Sequence, residues 1–285
     1  MLGFSALVAG SFSLGGLVAN DLAPSALNAV RFLFAATIMG VLVFATGGIT
    51  RKDVEAPWRY FVLGALFVIY FVLMFEGLKT APPVSTAAVF TLTPAITAVF
   101  GWFLLRQVTT GWIALALAVG GFGALWVIFR ADIQMALAFE VGRGEIVYFI
   151  GCIFHAAFTP ALKLLNRGER SLTYTFLFMV AGFILLVIWG WAPLWAANWG
   201  DLPMRLWIAL GYLAIFSSAA SFFLLQYGAR VLPSAKVMAY SYLTPSWVIL
   251  WEMALGHGLP PVFVLFGVGL SVVSLSMLLR DDTAV

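Results

Sequence analysis

Charge is scarce along this chain. Only 9% of its 285 residues are Asp, Glu, Lys or Arg, where a soluble domain carries about 25%. That excludes an ordinary water-soluble globule, whose hydrated surface needs charge. Thiols and imidazoles are scarcer still, with one cysteine, Cys152, and two histidines, His155 and His257. A disulfide framework and a dedicated metal cluster are thereby excluded, and no cofactor is expected. There is no Gly-x-x-x-x-Gly-Lys-Ser/Thr loop to cradle phosphates, so the chain does not read as an ATPase. Carboxylates are adjacent only at Asp281-Asp282, and no apolar run holds an aspartate in its interior. Prenyl transfer and intramembrane proteolysis both need carboxylate pairs inside or beside the membrane, so the reading is not an enzyme. The alternating pattern of an outer-membrane barrel is also missing, which leaves helices.

Apolar sequence, by contrast, is plentiful. Hydrophobic residues make up 63% of the chain and the mean hydropathy is +1.05. Runs of about 20 apolar residues recur from end to end, the length that an α-helix needs to cross the hydrocarbon layer. Ten spans are predicted, at 3–20, 26–46, 58–79, 83–105, 109–129, 145–165, 172–192, 205–229, 233–255 and 260–279. The first residues enter an apolar run with no basic stretch or cleavage site, and read as a retained span. A polar linker, 131–144, follows Arg130 and carries Asp132, Glu140 and Arg143. Trp58, Trp112, Trp195, Trp199 and Trp207 fall at span ends, where interfacial belts place indoles. The net charge of +3 would suit an acidic partner, but no basic stripe interleaved with aromatics suggests nucleic acid. The lipid bilayer is the expected partner.

One piece of punctuation occurs twice. Gly77-Leu78-Lys79, Pro82 and Leu92-Thr93-Pro94 are matched by Gly228-Ala229-Arg230, Pro233 and Leu243-Thr244-Pro245, each 151 residues on. The chain therefore reads as two five-span halves, 1–130 and 145–285. An odd span count makes the second half enter from the opposite side, as an inverted repeat. With both termini inside, Arg51, Lys52, Arg59, Arg106, Lys163, Arg167, Arg170, Arg230, Lys236 and Arg280 fall on the inner side. Arg31, Lys79, Arg130, Arg143 and Arg205 fall outside, and ten cations against five is the bias of the positive-inside rule.

At Gly77 to Pro94, and again at Gly228 to Pro245, the chain resembles the EamA-type transporters of the drug/metabolite transporter superfamily. Asn28-Ala29-Val30-Arg31-Phe32 is similar to the family's second span, where an arginine recurs. The likeness runs over essentially the whole length. It implies an all-α integral membrane fold of ten helices in two inverted repeats, with cytoplasmic termini. It also implies a secondary transporter in the bacterial inner membrane. Family members usually carry a Gly-Glu pair after spans 4 and 9, where this chain has Leu105-Arg106 and Gly256-His257. A role for that glutamate therefore does not carry over. The aromatic-rich spans look most like the YddG-type exporters of amino acids.

The sixth span holds the clearest site candidates. Tyr148, Cys152, His155, Thr159 and Lys163 are spaced three or four apart and share one helix face. Such a stripe has to meet protein or water, since lipid offers polar groups no partner. The stripe is either a cavity wall between the halves or interhelical hydrogen bonding with Lys163 snorkelling to the surface. Pro94 and Pro245 lie inside spans 4 and 9, where each removes a backbone donor and frees the carbonyl of Phe90 or Ser241. These carbonyls either accept from a substrate ammonium or are satisfied by Thr93, Thr244 or water at a simple kink. Tyr70, whose mid-span phenol needs a partner, is a further candidate, followed by Ser11, Thr91, Thr97, Ser217, Ser218, Ser221, Tyr240, Ser241 and Tyr242. Glu76 and Glu252 either take a proton or a substrate amine, or, for Glu76, form a static bridge to Lys79 or Arg31.

The expectation is export of an amino acid, aromatic or apolar, by alternating access through a central cavity. His155 and Lys163 would meet the carboxylate and the freed carbonyls the ammonium. Facilitated and proton-coupled export both fit. The rival readings are a multidrug or other metabolite exporter and a structural or lipid-handling membrane protein.

Overall fold

A computed structural model describes residues 1–108, 110–129, 132, 134–135 and 141–280. Arg130, residues 131, 133 and 136–140 of the expected linker (Glu140 among them) and Asp281-Asp282 lie outside the described residues. The described residues form helices and loops, with no strand among them. The α-helices are α1 (Leu2–Val18), α2 (Pro24–Ala45), α3 (Trp58–Leu78), α4 (Pro83–Phe90), α5 (Thr93–Leu105), α6 (Gly111–Ile128) and α7 (Arg143–Leu165). They continue as α8 (Ser171–Trp189), α9 (Trp191–Ala196), α10 (Met204–Ala214), α11 (Ser221–Val231), α12 (Ser234–Ala239), α13 (Thr244–Ala254) and α14 (Val262–Leu279). Among the described residues, eight stretches are long and apolar enough to cross a membrane, with α4–α5 and α10–α11 each counted as one. Helix α1 is apolar but shorter, at 17 residues. The stretch 234–254 is helical in three pieces, because a 3-10 turn, Tyr240–Leu243, separates α12 from α13.

Local chemistry sets the boundaries. Pro24 and Pro83 occupy the first turns of α2 and α4, where a missing amide hydrogen costs nothing. The Thr110 hydroxyl accepts from the Ile113 amide at 3.3 Å and opens α6. Pro94 and Pro245 interrupt their spans, whereas Pro160 lies inside the continuous α7. Before Pro94 the chain leaves α4 at Thr91-Leu92, and before Pro245 it tightens into the 3-10 turn. One irregularity has no proline: a π turn, Ile215–Ala220, joins α10 to α11.

Several helices pair in antiparallel fashion. Trp112, near the start of α6, donates its indole N–H to the Met277 carbonyl at 2.8 Å, near the end of α14. Trp126, near the end of α6, donates to Phe263, near the start of α14, at 3.1 Å. Between these clamps Gly123 and Gly267 touch, and a methyl added to either would sit 2.6 Å from the other's carbonyl oxygen. Helices α2 and α8 also oppose: Arg170 donates to the Thr46 carbonyl at 2.8 Å, while Gly190 lies against Ser25 at the other end. Helix α12 packs on α5 and α13 on α4, so these interrupted stretches cross head to tail as well.

The periphery is apolar. Val41, Phe44, Phe103 and Ile188 are exposed on flanks of α2, α5 and α8, as a lipid-facing surface demands. Of the indoles expected at interfaces, Trp58, Trp112 and Trp195 are exposed, whereas Trp199 and Trp207 are half-buried and pack 6.4 Å apart.

Candidate functional site

The inward face of α7 carries the predicted stripe only in part. Tyr148, Cys152, His155 and Thr159 are all buried. Lys163 is exposed at the helix end. It lines a cleft of about 260 Å³ with Asn166, Gln226 and Arg230. Eight residues of helix, about 12 Å of rise, separate it from His155. The pairing of His155 with Lys163 on one carboxylate is therefore corrected, because the lysine reaches for the surface as long amphipathic side chains do.

An aromatic group surrounds the buried stripe. The Tyr70 and Tyr148 hydroxyls meet at 3.1 Å. The His155 ring lies 4.4 Å from Tyr70, 5.1 Å from Phe90 and 5.4 Å from Phe67, centroid to centroid. Phe12 reaches Phe90 at 5.7 Å and Tyr148 at 5.9 Å. Helices α1, α3, α4 and α7 thus each place a ring there. The Cys152 thiol is buried on the same face of α7. Several buried polar atoms have no protein partner, namely His155 Nδ1, Thr159 Oγ1, Thr97 Oγ1 and Ser241 Oγ.

The remaining candidates separate. The Thr91 hydroxyl donates to the Ala88 carbonyl at 2.6 Å, closing its own helical turn. Ser11 meets the Ser217 hydroxyl of the π turn. Tyr242 is buried elsewhere: it packs on Gly120 of α6 and clusters with Ile113, Leu117, Leu275 and Leu278. Its place in the central wall is corrected accordingly. Glu76 pairs with Lys79 at 2.7 Å, not with Arg31. Glu252 pairs with His257 at 2.7 Å.

Arg31 is the residue that the charge count misplaced. It is 0% exposed, inside α2 rather than in a loop. Its Nε donates to the Ser218 hydroxyl at 2.7 Å and its Nη2 to the Ser217 carbonyl at 3.1 Å. Its guanidinium carbon lies 3.9 Å over the Phe71 ring. The signal available in the sequence was the apolar surround of Ala29-Val30-Arg31-Phe32-Leu33, too deep in a span for a loop cation.

One end of the molecule gathers charge. Arg59 and Glu169 pair at 2.6 Å with side chains only 1% and 4% exposed. Arg59 also donates to the Leu165 carbonyl at 2.6 Å, and Arg230 donates to the Glu169 carbonyl. Burial works to raise the Glu169 carboxyl, but Arg59 and the Arg167 amide, at 2.6 Å, overcome it and hold the group below its ordinary value.

Apolar spans with polar and ionisable groups turned inward define a multi-pass helical membrane protein. The chain belongs to the EamA-like transporter family, which matches residues 1–129 and again residues 142–280. It is 25% identical over 280 residues to a protein of Bacillus subtilis (strain 168) named as the uncharacterized transporter YyaM, covering 98% of this chain and 91% of that relative. A solved crystal structure shares the fold with a TM-score of 0.74 at 18% identity, covering 97% of this chain and 94% of the other.

Proposed function

We propose that this protein is a secondary transporter exporting amino acids, aromatic or apolar ones, across the bacterial inner membrane. The translocation site lies between two inverted five-span halves, residues 1–130 and 145–285, and alternating access exposes it to each side in turn. One observation carries the reading. Rings from four helices enclose the Tyr70–Tyr148 hydroxyl pair and His155, while buried polar atoms at His155, Thr159, Thr97 and Ser241 are left unspent. Buried polar groups are ordinarily satisfied, so open ones such as His155 Nδ1 and Thr159 Oγ1 beside these rings suit a polar solute.

The inversion is supported by the helix directions. Spans matched by the repeat, α2 with α8, α4–α5 with α12–α13 and α6 with α14, run antiparallel in contact. That is what a twofold axis in the membrane plane produces. With the termini on the cytoplasmic side, Lys163 and Arg230 line a cleft at the inner mouth. There they draw the solute's carboxylate end inward, while the rings receive the side chain and the Phe90 carbonyl the ammonium; the Ser241 carbonyl already accepts the Thr244 amide. The likeness to YddG-type exporters belongs to the same proposal.

Counterflow in proteoliposomes with labelled phenylalanine, tryptophan and leucine tests it. Exchange that external unlabelled amino acid accelerates is the expected result. Acceleration by a pH gradient identifies proton coupling, and indifference to it identifies facilitated export. Absence of exchange for every amino acid tried overturns the substrate reading.

A further inference from the structure

We propose that Arg31 is the carboxylate-recognition residue of the central site, held by the serines of the π turn until an anionic substrate displaces them. The inference rests on the transport reading and adds to it the chemical class of the substrate's head group, a monocarboxylate.

Four observations converge on the guanidinium. First, it is fully buried, yet none of the ion pairs among the described residues involves it: those pairs are Arg59–Glu169, Lys79–Glu76, Arg205–Asp21 and His257–Glu252. A cation taken out of water without a counter-charge is costly. Second, all its partners are neutral: the Ser218 hydroxyl at 2.7 Å, the Ser217 carbonyl at 3.1 Å and the Ser217 hydroxyl at 3.4 Å. Third, Nη1 has no hydrogen-bond partner among the described residues. A guanidinium is a planar fork matched to two carboxylate oxygens, and here part of that fork stands open.

Fourth, the partners themselves sit on a poised element. Ser217 and Ser218 belong to the π turn, an irregularity that concentrates at functional sites. The Ser217 carbonyl already accepts from Ser221 at 2.8 Å, and its hydroxyl meets Ser11. Loss of Arg31 would leave both Ser217 groups with partners of their own, so the exchange for a carboxylate frees only the Ser218 hydroxyl, which can then turn to the incoming carboxylate as a donor. The same guanidinium lies over Phe71, whose ring is 4.7 Å from Tyr70 and 5.4 Å from Phe67, the two rings flanking His155. An α-carboxylate on Arg31 would thus set an apolar side chain against the aromatic group. Arg31 lies on α2 and the π turn on α10–α11, so the switch joins the two halves of the chain.

The experiment is thermal unfolding of the detergent-purified full chain with four probes: phenylalanine, phenylpyruvate, phenylalanine amide and phenethylamine. In the unmodified protein the two carboxylates raise the Tm and the two compounds lacking a carboxylate do not. Arg31→Gln abolishes the shift, and Arg31→Lys weakens the apparent affinity by about tenfold or more, since a lysine keeps the charge but loses the fork. Ser218→Ala removes a competitor and strengthens carboxylate binding several-fold, an effect that a purely structural arginine clip would not give. It decides the matter should Arg31→Gln fail to fold. Equal stabilisation by the amide or the amine, a full shift in Arg31→Gln, no carboxylate response in the unmodified protein, or unchanged or weaker binding in Ser218→Ala each overturns the assignment. Parallel counterflow keeps the two readings apart. Carboxylate binding without exchange sinks transport but not Arg31, whereas exchange indifferent to the carboxylate sinks Arg31 but not transport.

Discussion

A hydroxyl shared between Tyr70 and Tyr148 at 3.1 Å is worth more in a membrane interior than its energy suggests, because water is not at hand to replace it. Tyr70→Phe should lower stability by about 1 kcal/mol, read as a fall in Tm in detergent, and slow counterflow at the same site. The buried Arg59–Glu169 pair makes a pH prediction. The Glu169 carboxyl is held below its ordinary value of 4.5, so its stabilising contribution is complete above that pH. It is lost only as pH falls through the lower, folded-state value. Between pH 5 and 8 this group should therefore contribute its full stabilisation with no pH dependence, and the unfolding temperature should drop under stronger acid. Glu169→Gln should lose that acid-side drop and be less stable near neutrality by about 3 kcal/mol, because it leaves Arg59 buried without a counter-charge. At this scale the sequence was legible where spacing spoke. The three- and four-residue steps from Tyr148 to Thr159 put one face of α7 inward, and Tyr70 followed from its need for a partner. Arg31 was placed in the second span but counted only as outer charge, and Lys163 was left between site and surface because helical periodicity gives a residue's face but not its depth.

Among the elements, two interruptions fall just before Pro94 and Pro245, and eight long apolar stretches of the described residues could be read from run length. The π turn could not. Ile215-Phe216-Ser217-Ser218-Ala219-Ala220 carries no glycine or proline to announce it, and the turn packs against α1 and α2. Nor could the sequence say that Tyr242 turns toward α6, since the 3-10 turn rotates it relative to a continuous helix. The α6–α14 pair gives a sharp structural test. Gly123→Val would drive a side chain into the Gly267 carbonyl and should cost about 1–3 kcal/mol. Gly121→Ala, two residues away on the same helix with open space beside it, should be neutral or slightly stabilising. Thermal unfolding of the two variants side by side checks both.

At the scale of the molecule, the repeat punctuation and the family match describe one object: a helical unit occurring twice along the chain. The charged loops around Glu55 and Arg167 share one end, lining a common cleft, whereas Gly200 lies near the Asp21–Arg205 pair at the end of other helices. Single cysteines at Glu55 and Arg167 should therefore react with a membrane-impermeant maleimide from the same side of sealed vesicles, and one at Gly200 from the opposite side. A Cys152→Ala background keeps the buried native thiol out of the readout. Labelling of all three introduced thiols from one side would dissolve the inverted arrangement.

The two interrupted helices are not alike: one parts at Thr91-Leu92, the other tightens at Tyr240–Leu243. Under the alternating access proposed above, the halves trade roles as the site turns from one compartment to the other, and each half previews the shape its twin takes next. The outward and inward forms are then the same pair of shapes dealt in opposite order. Pro94→Ala and Pro245→Ala, each straightening one of the two, would tilt that seesaw to opposite ends.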